Sequence, residues 1–287
     1  MITQIAGVLF DGFAFGMLLF LLSVGLSVTL GLMNFINLAH GAFAMLGGYV
    51  ALTLTRDMNV PVLLALVAAF FAAALVSIVF ERTLFRRLYR TGELNQVLFT
   101  IGLVFVAAAA AAYVFGTVQQ PIQTPGYLRG SLQVGGLNLG VYRMFLIGVA
   151  LLATAVLIIG LEYTRFGAMV RAAVDNQRVA QALGIDVDTV FALTFALGSG
   201  LAGLGGALAI EIVGLDPTFG FHYLVYVLIV VAVGGLGTIG GSFLAAALLG
   251  IGDVASKYYV PELGAFFIYL MMIAILFFRP LGLFGKR

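Results

Sequence analysis

Asn34, Asn37 and His40 stand in the run NFINLAHGAF, between stretches that carry no charge from Leu18 to Leu32 and from Ala42 to Leu54. Their i, i+3, i+6 spacing puts three hydrogen-bonding side chains close together along a helix face. Imidazole and carboxamide groups offer metal ligation, proton transfer, or hydrogen bonding to a solute or a neighbouring helix. Metal ligation needs further donors, and the chain holds one other histidine, His222, and no cysteine, so no metal site is expected. A proton relay wants carboxylates at membrane depth, whereas Asp11, Glu211 and Asp253 are expected near helix ends. An unpaired polar group in hydrocarbon is costly, so this face must turn inward. It borders a translocation path or holds a helix break beside one; otherwise it only bonds to adjacent helices.

The elements that carry these groups follow from composition. Of 287 residues, 63% are hydrophobic and 9% charged, and mean hydropathy is +1.17. Soluble domains carry about 25% charged residues, so this is an integral membrane protein. A net charge of +2 argues against a nucleic-acid partner. Runs long enough to span a bilayer as helix lie at 9–31, 34–55, 60–80, 95–117, 141–161, 190–213, 222–251 and 262–278. They are continuously apolar and do not alternate, so the fold class is all-α and polytopic, with about eight hydrophobic segments in a single transmembrane domain, 1–287. The N-terminal residues lack the basic region of a signal peptide and read as the start of the first span.

Arg82, Arg86, Arg87 and Arg90, then Arg165, Arg171 and Arg178, then Arg279, Lys286 and Arg287 make up ten of the fourteen basic residues. The regions that hold them, 81–93, 162–189 and the C-terminal tail, are assigned to the cytoplasm. The 118–140 segment, rich in Gln, Gly and Pro, is assigned outside. This topology requires 222–251 to be divided, and GGLGTIGG at 234–241 is the place: Gly234, Gly235, Gly237, Gly240 and Gly241 mark a break between two helices of about 14 residues each, roughly 21 Å at helical rise. A shift of 200 positions lays His40-Gly41-Ala42-Phe43 on Gly240-Gly241-Ser242-Phe243, which suggests a parallel internal repeat with two interrupted segments. Interrupted segments at matching positions point to a transporter's substrate path.

The 162–189 stretch can form a short amphipathic helix or pair. Gly184 suits a C-terminal cap, and Asp186 or Asp188 suits an N-terminal cap for the next span. Its apolar stripe among charges fits either a docking partner or the lipid surface. No GxxxxGK[ST] pattern is present, so any ATPase would be another chain and no cofactor is expected here.

Three runs carry a family resemblance: GLMNFINLAHGAFAMLGGYVA at 31–51, RFGAMVRAAVDNQRVAQALGID at 165–186 and FRPLGLFG at 278–285. Together they resemble the permeases of branched-chain amino-acid ABC importers. The resemblance implies a multi-pass subunit of the bacterial inner membrane with its C-terminus in the cytoplasm. It also implies a second homologous permease, two cytoplasmic ATPases that use ATP, and an external substrate-binding protein. Residues 165–186 would be the coupling loop, with Arg171, Asp175, Ala180 and Gly184 as the matching positions. Ala42 departs from relatives with an acidic residue after His-Gly, which leaves the substrate open among hydrophobic amino acids, urea, amides and aromatic acids. The alternative is a stand-alone channel or secondary transporter. An embedded enzyme finds no nucleophile–base pair to support it.

Overall fold

Within lipid a backbone must satisfy its own hydrogen bonds, and the apolar runs accordingly fold as helices. A computed structural model describes residues 2–33, 35–89, 91–120 and 125–285. In chain order the elements are α1 (Ile2–Met33), α2 (His40–Arg56), α3 (Val62–Phe80), α4 (Arg86–Leu88), α5 (Glu93–Phe115), β1 (Ser131–Val134), β2 (Leu137–Gly140), α6 (Val141–Glu162), α7 (Arg165–Asp175), α8 (Gln177–Ala182), α9 (Val187–Val213), α10 (Phe219–Gly234), α11 (Ile239–Tyr259) and α12 (Pro261–Phe278). A π-helical turn, Glu81–Phe85, joins α3 to α4. Among the described residues, seven helical spans, some running on through such turns, are long and apolar enough to cross a membrane; α2 and α10, with 17 and 16 residues, are shorter.

α1 and α9 form the centre, buried along most of their length, while α5, α6 and α12 present apolar side chains outward as lipid-facing helices must. Glycines let the central helices touch. Gly25 of α1 meets Gly198 of α9, where a Cβ on Gly198 would lie 2.8 Å from the Gly25 carbonyl oxygen. α1 runs antiparallel along α11, with Gly12 against Ile251, Gly16 against Ala247 and Gly31 against Gly237. α9 lies along α3 in the same manner, with Gly203 against Ala69 and Gly200 against Phe70.

These contacts expose a repeat of a different kind from the parallel one expected. α1, α2, α3 and α5 are echoed by α9, α10, α11 and α12, with α1 antiparallel to α9, so the two halves are inverted. Each half has a long helix, a non-helical link, a short helix and then further spans. The echo between His40 and Gly240 aligns two helix starts that are not equivalent; order in the chain pairs α2 with α10. Glycine recurs in both runs because both helices start in crowded places, which is a packing requirement and not a sign of matching position.

The division of 222–251 is as expected in place but unequal in length, since α11 has 21 residues and is a full span. Among the expected external residues, β1 and β2 form an antiparallel hairpin in which Val134 pairs with Leu137. Gly135 and Gly136 turn it with φ of 59° and 83°, the two positive values that a type I′ turn needs.

Candidate functional site

The first interruption begins where α1 ends. Asn34 lies outside the described residues; residues 35–39 are non-helical, and α2 starts at His40. Asn37 and His40 therefore do not share a helix face, which corrects the spacing argument: the polar run is the break itself. An unwound backbone inside a bundle frees N–H groups that need acceptors. Two side chains on α5 supply them. Ile36 N–H donates to Gln96 Oε1 at 3.2 Å and Leu38 N–H donates to Thr100 Oγ1 at 3.2 Å. His40, 1% exposed, places Nε2 2.9 Å from the Leu22 carbonyl oxygen of α1, pinning the start of α2 deep in the bundle. Asn37 is equally buried, and its carboxamide finds no partner among the described residues.

α10 starts beside α2. Asp216 braces the turn before it, accepting from Thr218 N–H at 2.6 Å and from the Thr218 hydroxyl, Thr218 being the residue just ahead of the helix. Gly41 and Gly220, each the second residue of its helix, touch backbone to backbone. α2 runs from this point toward the end of the bundle where Arg56 donates to Gln120, and α10 runs toward the end where Gly237 meets Gly31. Two short helices thus abut head to head, N-terminus to N-terminus.

The second interruption, 235–238, lies about 14 Å further along α1 at helical rise, against Gly31 instead of Leu22. Gly235 and Gly237 have φ of 95° and 76°, which a side chain would strain. Gly234 and Gly241 pack on each other's backbone, whereas Gly240 faces open space. The tail after α12 closes this break: Leu283 N–H donates to Val233 O at 2.8 Å and Phe284 N–H to Gly234 O at 3.2 Å, satisfying carbonyls at the end of α10. The two glycine- and polar-rich runs therefore occupy different levels and meet different partners.

The 162–189 stretch is the helix pair α7 and α8. Thr164 caps α7, accepting from Gly167 N–H at 3.2 Å, and Asn176 caps α8, accepting from Val179 N–H at 3.1 Å. Gly184, with φ 85°, ends α8, and Ile185 N–H closes back on Ala180 O at 3.0 Å. Asp186 caps α9 through Thr189 N–H at 3.2 Å and the Thr189 hydroxyl, and these hydrogen bonds hold its carboxyl below the ordinary range. Ala180 is buried with Val170, Ala173, Val187 and Val190, so it fastens the pair to α9 and does not face outward. Arg171 donates to the Leu161 carbonyl. Asp175, Val179 and Leu183 are exposed, Leu183 to 76%, leaving an apolar outer face.

Some functional side chains were missed by sequence reasoning. Gln96 and Thr100 signal themselves only as an i, i+4 polar pair in an apolar helix, and the arginines at 82–90 read as topological charge. The structure ties Arg86 to Asp188 by an ion pair, and places Glu81, Arg82, Arg86, Asp186, Asp188 and Thr189 around a polar cavity of about 220 Å³. Asp11 and Asp253 lie inside helices, not at their ends, and are neutralised by Arg143 and Lys257 at 2.6 Å. Among the described residues no cluster of metal-ligating side chains occurs.

Residues 8–276 match the family described as the permease component of branched-chain amino acid transport systems. The high-affinity branched-chain amino acid permease protein LivH of Escherichia coli K12 is 27% identical, with 97% of this chain and 94% of that protein aligned. BraD of Pseudomonas aeruginosa, also described as a high-affinity branched-chain amino acid permease protein, is 26% identical over 97% of this chain and 95% of its own length. A probable branched-chain amino acid permease protein of Methanocaldococcus jannaschii is 28% identical over 93% and 89%. No solved structure matches the chain.

Proposed function

This chain belongs to the family of permease components of branched-chain amino acid transport systems, and on that premise we propose that it imports a branched-chain or other hydrophobic amino acid as the membrane subunit of an ABC transporter. The match across residues 8–276 carries the reading. A permease component needs an energy source, and here that is a pair of cytoplasmic ATPases that bind the ATP; a second homologous permease and an external binding protein complete the importer. The α7–α8 pair is the surface that fits the ATPases. Its outer face offers Val179 and Leu183 beside Asp175 and Arg178, while Arg171, Ala180 and Gly184 fix its shape. In this reading 162–189 and the tail face the cytoplasm of the bacterial inner membrane, and the β1–β2 hairpin faces the binding protein.

Transport is alternating access. Movement of the ATPases displaces the helix pair, and the path opens to opposite sides in turn, with the interrupted segments as the parts that yield. Asn37, His40 and Gly41 with Gly234, Gly235, Gly237, Gly240 and Gly241 are the path-side or break positions, together with Asn34 on sequence grounds. No covalent chemistry is needed on this chain.

Gentle isolation should bring ATPase subunits with the chain, and uptake into proteoliposomes should require ATP. Uptake by the purified chain alone, without ATP, would overturn the reading in favour of a channel or secondary transporter. Gly184→Val and Arg171→Ala should lower uptake while the protein still inserts and accumulates; normal uptake with full ATPase stimulation in both would reject the coupling assignment.

A further inference from the structure

We propose that Gln96 and Tyr89 are positioning residues that link the cytoplasmic helix pair to the break before α2, so that displacement of α7–α8 is felt by the backbone at 35–39. The proposal rests on the importer reading above and adds the residues through which this chain would transmit the movement.

The connection is continuous. Asp186 and Asp188 open α9 directly after α8, and Asp188 pairs with Arg86 of α4. Arg86 follows the π-helical turn Glu81–Phe85, a form of backbone found mostly as local bulges at functional sites. Inside that turn Glu81, 2% exposed, accepts from the Tyr89 hydroxyl at 3.1 Å. The Tyr89 ring stands edge-on to Phe35, with centroids 5.1 Å apart and planes at 78°. Phe35 begins the described part of the break and is also wedged against Phe85 at 5.4 Å, and Phe85 against Phe195 of α9 at 5.2 Å. Packed rings of this kind have low compressibility and pass on displacement.

Gln96 makes the second link. Its Nε2 lies within 3.3 Å of both the Leu88 and Thr91 carbonyl oxygens, at the turn that follows α4, while its Oε1 accepts from Ile36 N–H. One buried carboxamide therefore joins the cytoplasmic turn to the break. Thr100 repeats the grip one helical turn on, donating to Gln96 O at 2.7 Å and accepting from Leu38 N–H. If the 86–91 segment moves with α9, Gln96 must either follow it or release Ile36. Both outcomes change the path of residues 35–39 and hence the position of His40.

The test uses the full transporter complex in proteoliposomes, reading substrate taken up per ATP hydrolysed. Gln96→Met keeps volume and removes the carboxamide's bonds both to Ile36 and to the Leu88 and Thr91 carbonyls; Thr100→Val removes an acceptor that Thr100→Ser retains. Gln96→Met and Thr100→Val are expected to lower the uptake-to-hydrolysis ratio about tenfold while ATPase activity stays near that of the parent, and Thr100→Ser to keep it, a size of effect within reach of network residues. Arg86→Asp, an exposed change, should lower the ratio, and adding Asp188→Arg should restore it; this pair serves even if a buried variant fails to fold. An unchanged ratio, uptake and hydrolysis falling in parallel, or no rescue by the exchanged pair would overturn the proposal. Failure of the importer reading would show separately, as absence of ATP-dependent uptake in the parent.

Discussion

His40 acts in this arrangement as a fastener, with Nε2 2.9 Å from the Leu22 carbonyl oxygen of α1. A buried imidazole whose Nε2 meets the Leu22 carbonyl cannot be replaced by an apolar side chain without losing that buried hydrogen bond, although the carbonyl keeps its partner within α1. His40→Phe is expected to destabilise the protein by about 0.5–1.5 kcal/mol, seen as a lower unfolding midpoint in detergent, with His40→Gln recovering part of the loss. Asp186 gives a pH-dependent counterpart. Hydrogen bonds from Thr189 depress its carboxyl below the ordinary 3.8, so its capping contribution is complete above that value and is lost only as pH falls below it. Asp186→Asn should therefore leave the thermal midpoint nearly unchanged at pH 7, where Asn also caps well, whereas Asp186→Ala, which cannot cap, should lower it. These local pieces, the caps at Asp186 and Gly184, were legible in the sequence because capping is settled by a few adjacent residues. Gln96 and Thr100 were not, because their acceptors' partners, Ile36 and Leu38, stand about 60 residues away in the chain.

At the scale of elements, close helix crossings depend on missing side chains. Gly47 of α2 and Gly206 of α9 lie where α2 and α9 cross, each against the other helix's backbone. Gly102, Gly148 and Gly160 face open space. Gly47→Leu and Gly206→Leu should abolish the monodisperse peak on size exclusion after extraction, and Gly160→Leu should keep it. Hydropathy found every span, since burial in lipid leaves a mark on each residue of a run. It did not distinguish the 16-residue α10 from the 21-residue α11, because the boundary between them is set by backbone angles at Gly235 and Gly237. The hairpin of β1 and β2 was signalled by Val-Gly-Gly-Leu at 134–137, a turn pattern overlooked inside a polar connection.

For the whole molecule, the absence of cysteine makes sidedness directly measurable. Val134→Cys, on the exposed hairpin, should react with a membrane-impermeant maleimide in intact cells; Val179→Cys, on α8, should react only after permeabilisation. The reverse pattern would invert the molecule in the membrane. The inverted relation of the two halves was not readable from one sequence, since the halves share an order of elements and a mode of packing, and residue identities fade long before either does.

The abutting starts of α2 and α10 have an electrical meaning as well. Each helix carries roughly half a positive charge at its N-terminus, and Asp216, hydrogen-bonded to Thr218 at the start of α10, sets a carboxylate beside the pair. The carboxylate offsets two like-signed helix ends that would otherwise face each other in a low-dielectric interior. Asp216→Asn should therefore leave the junction positive and lower the unfolding midpoint in detergent.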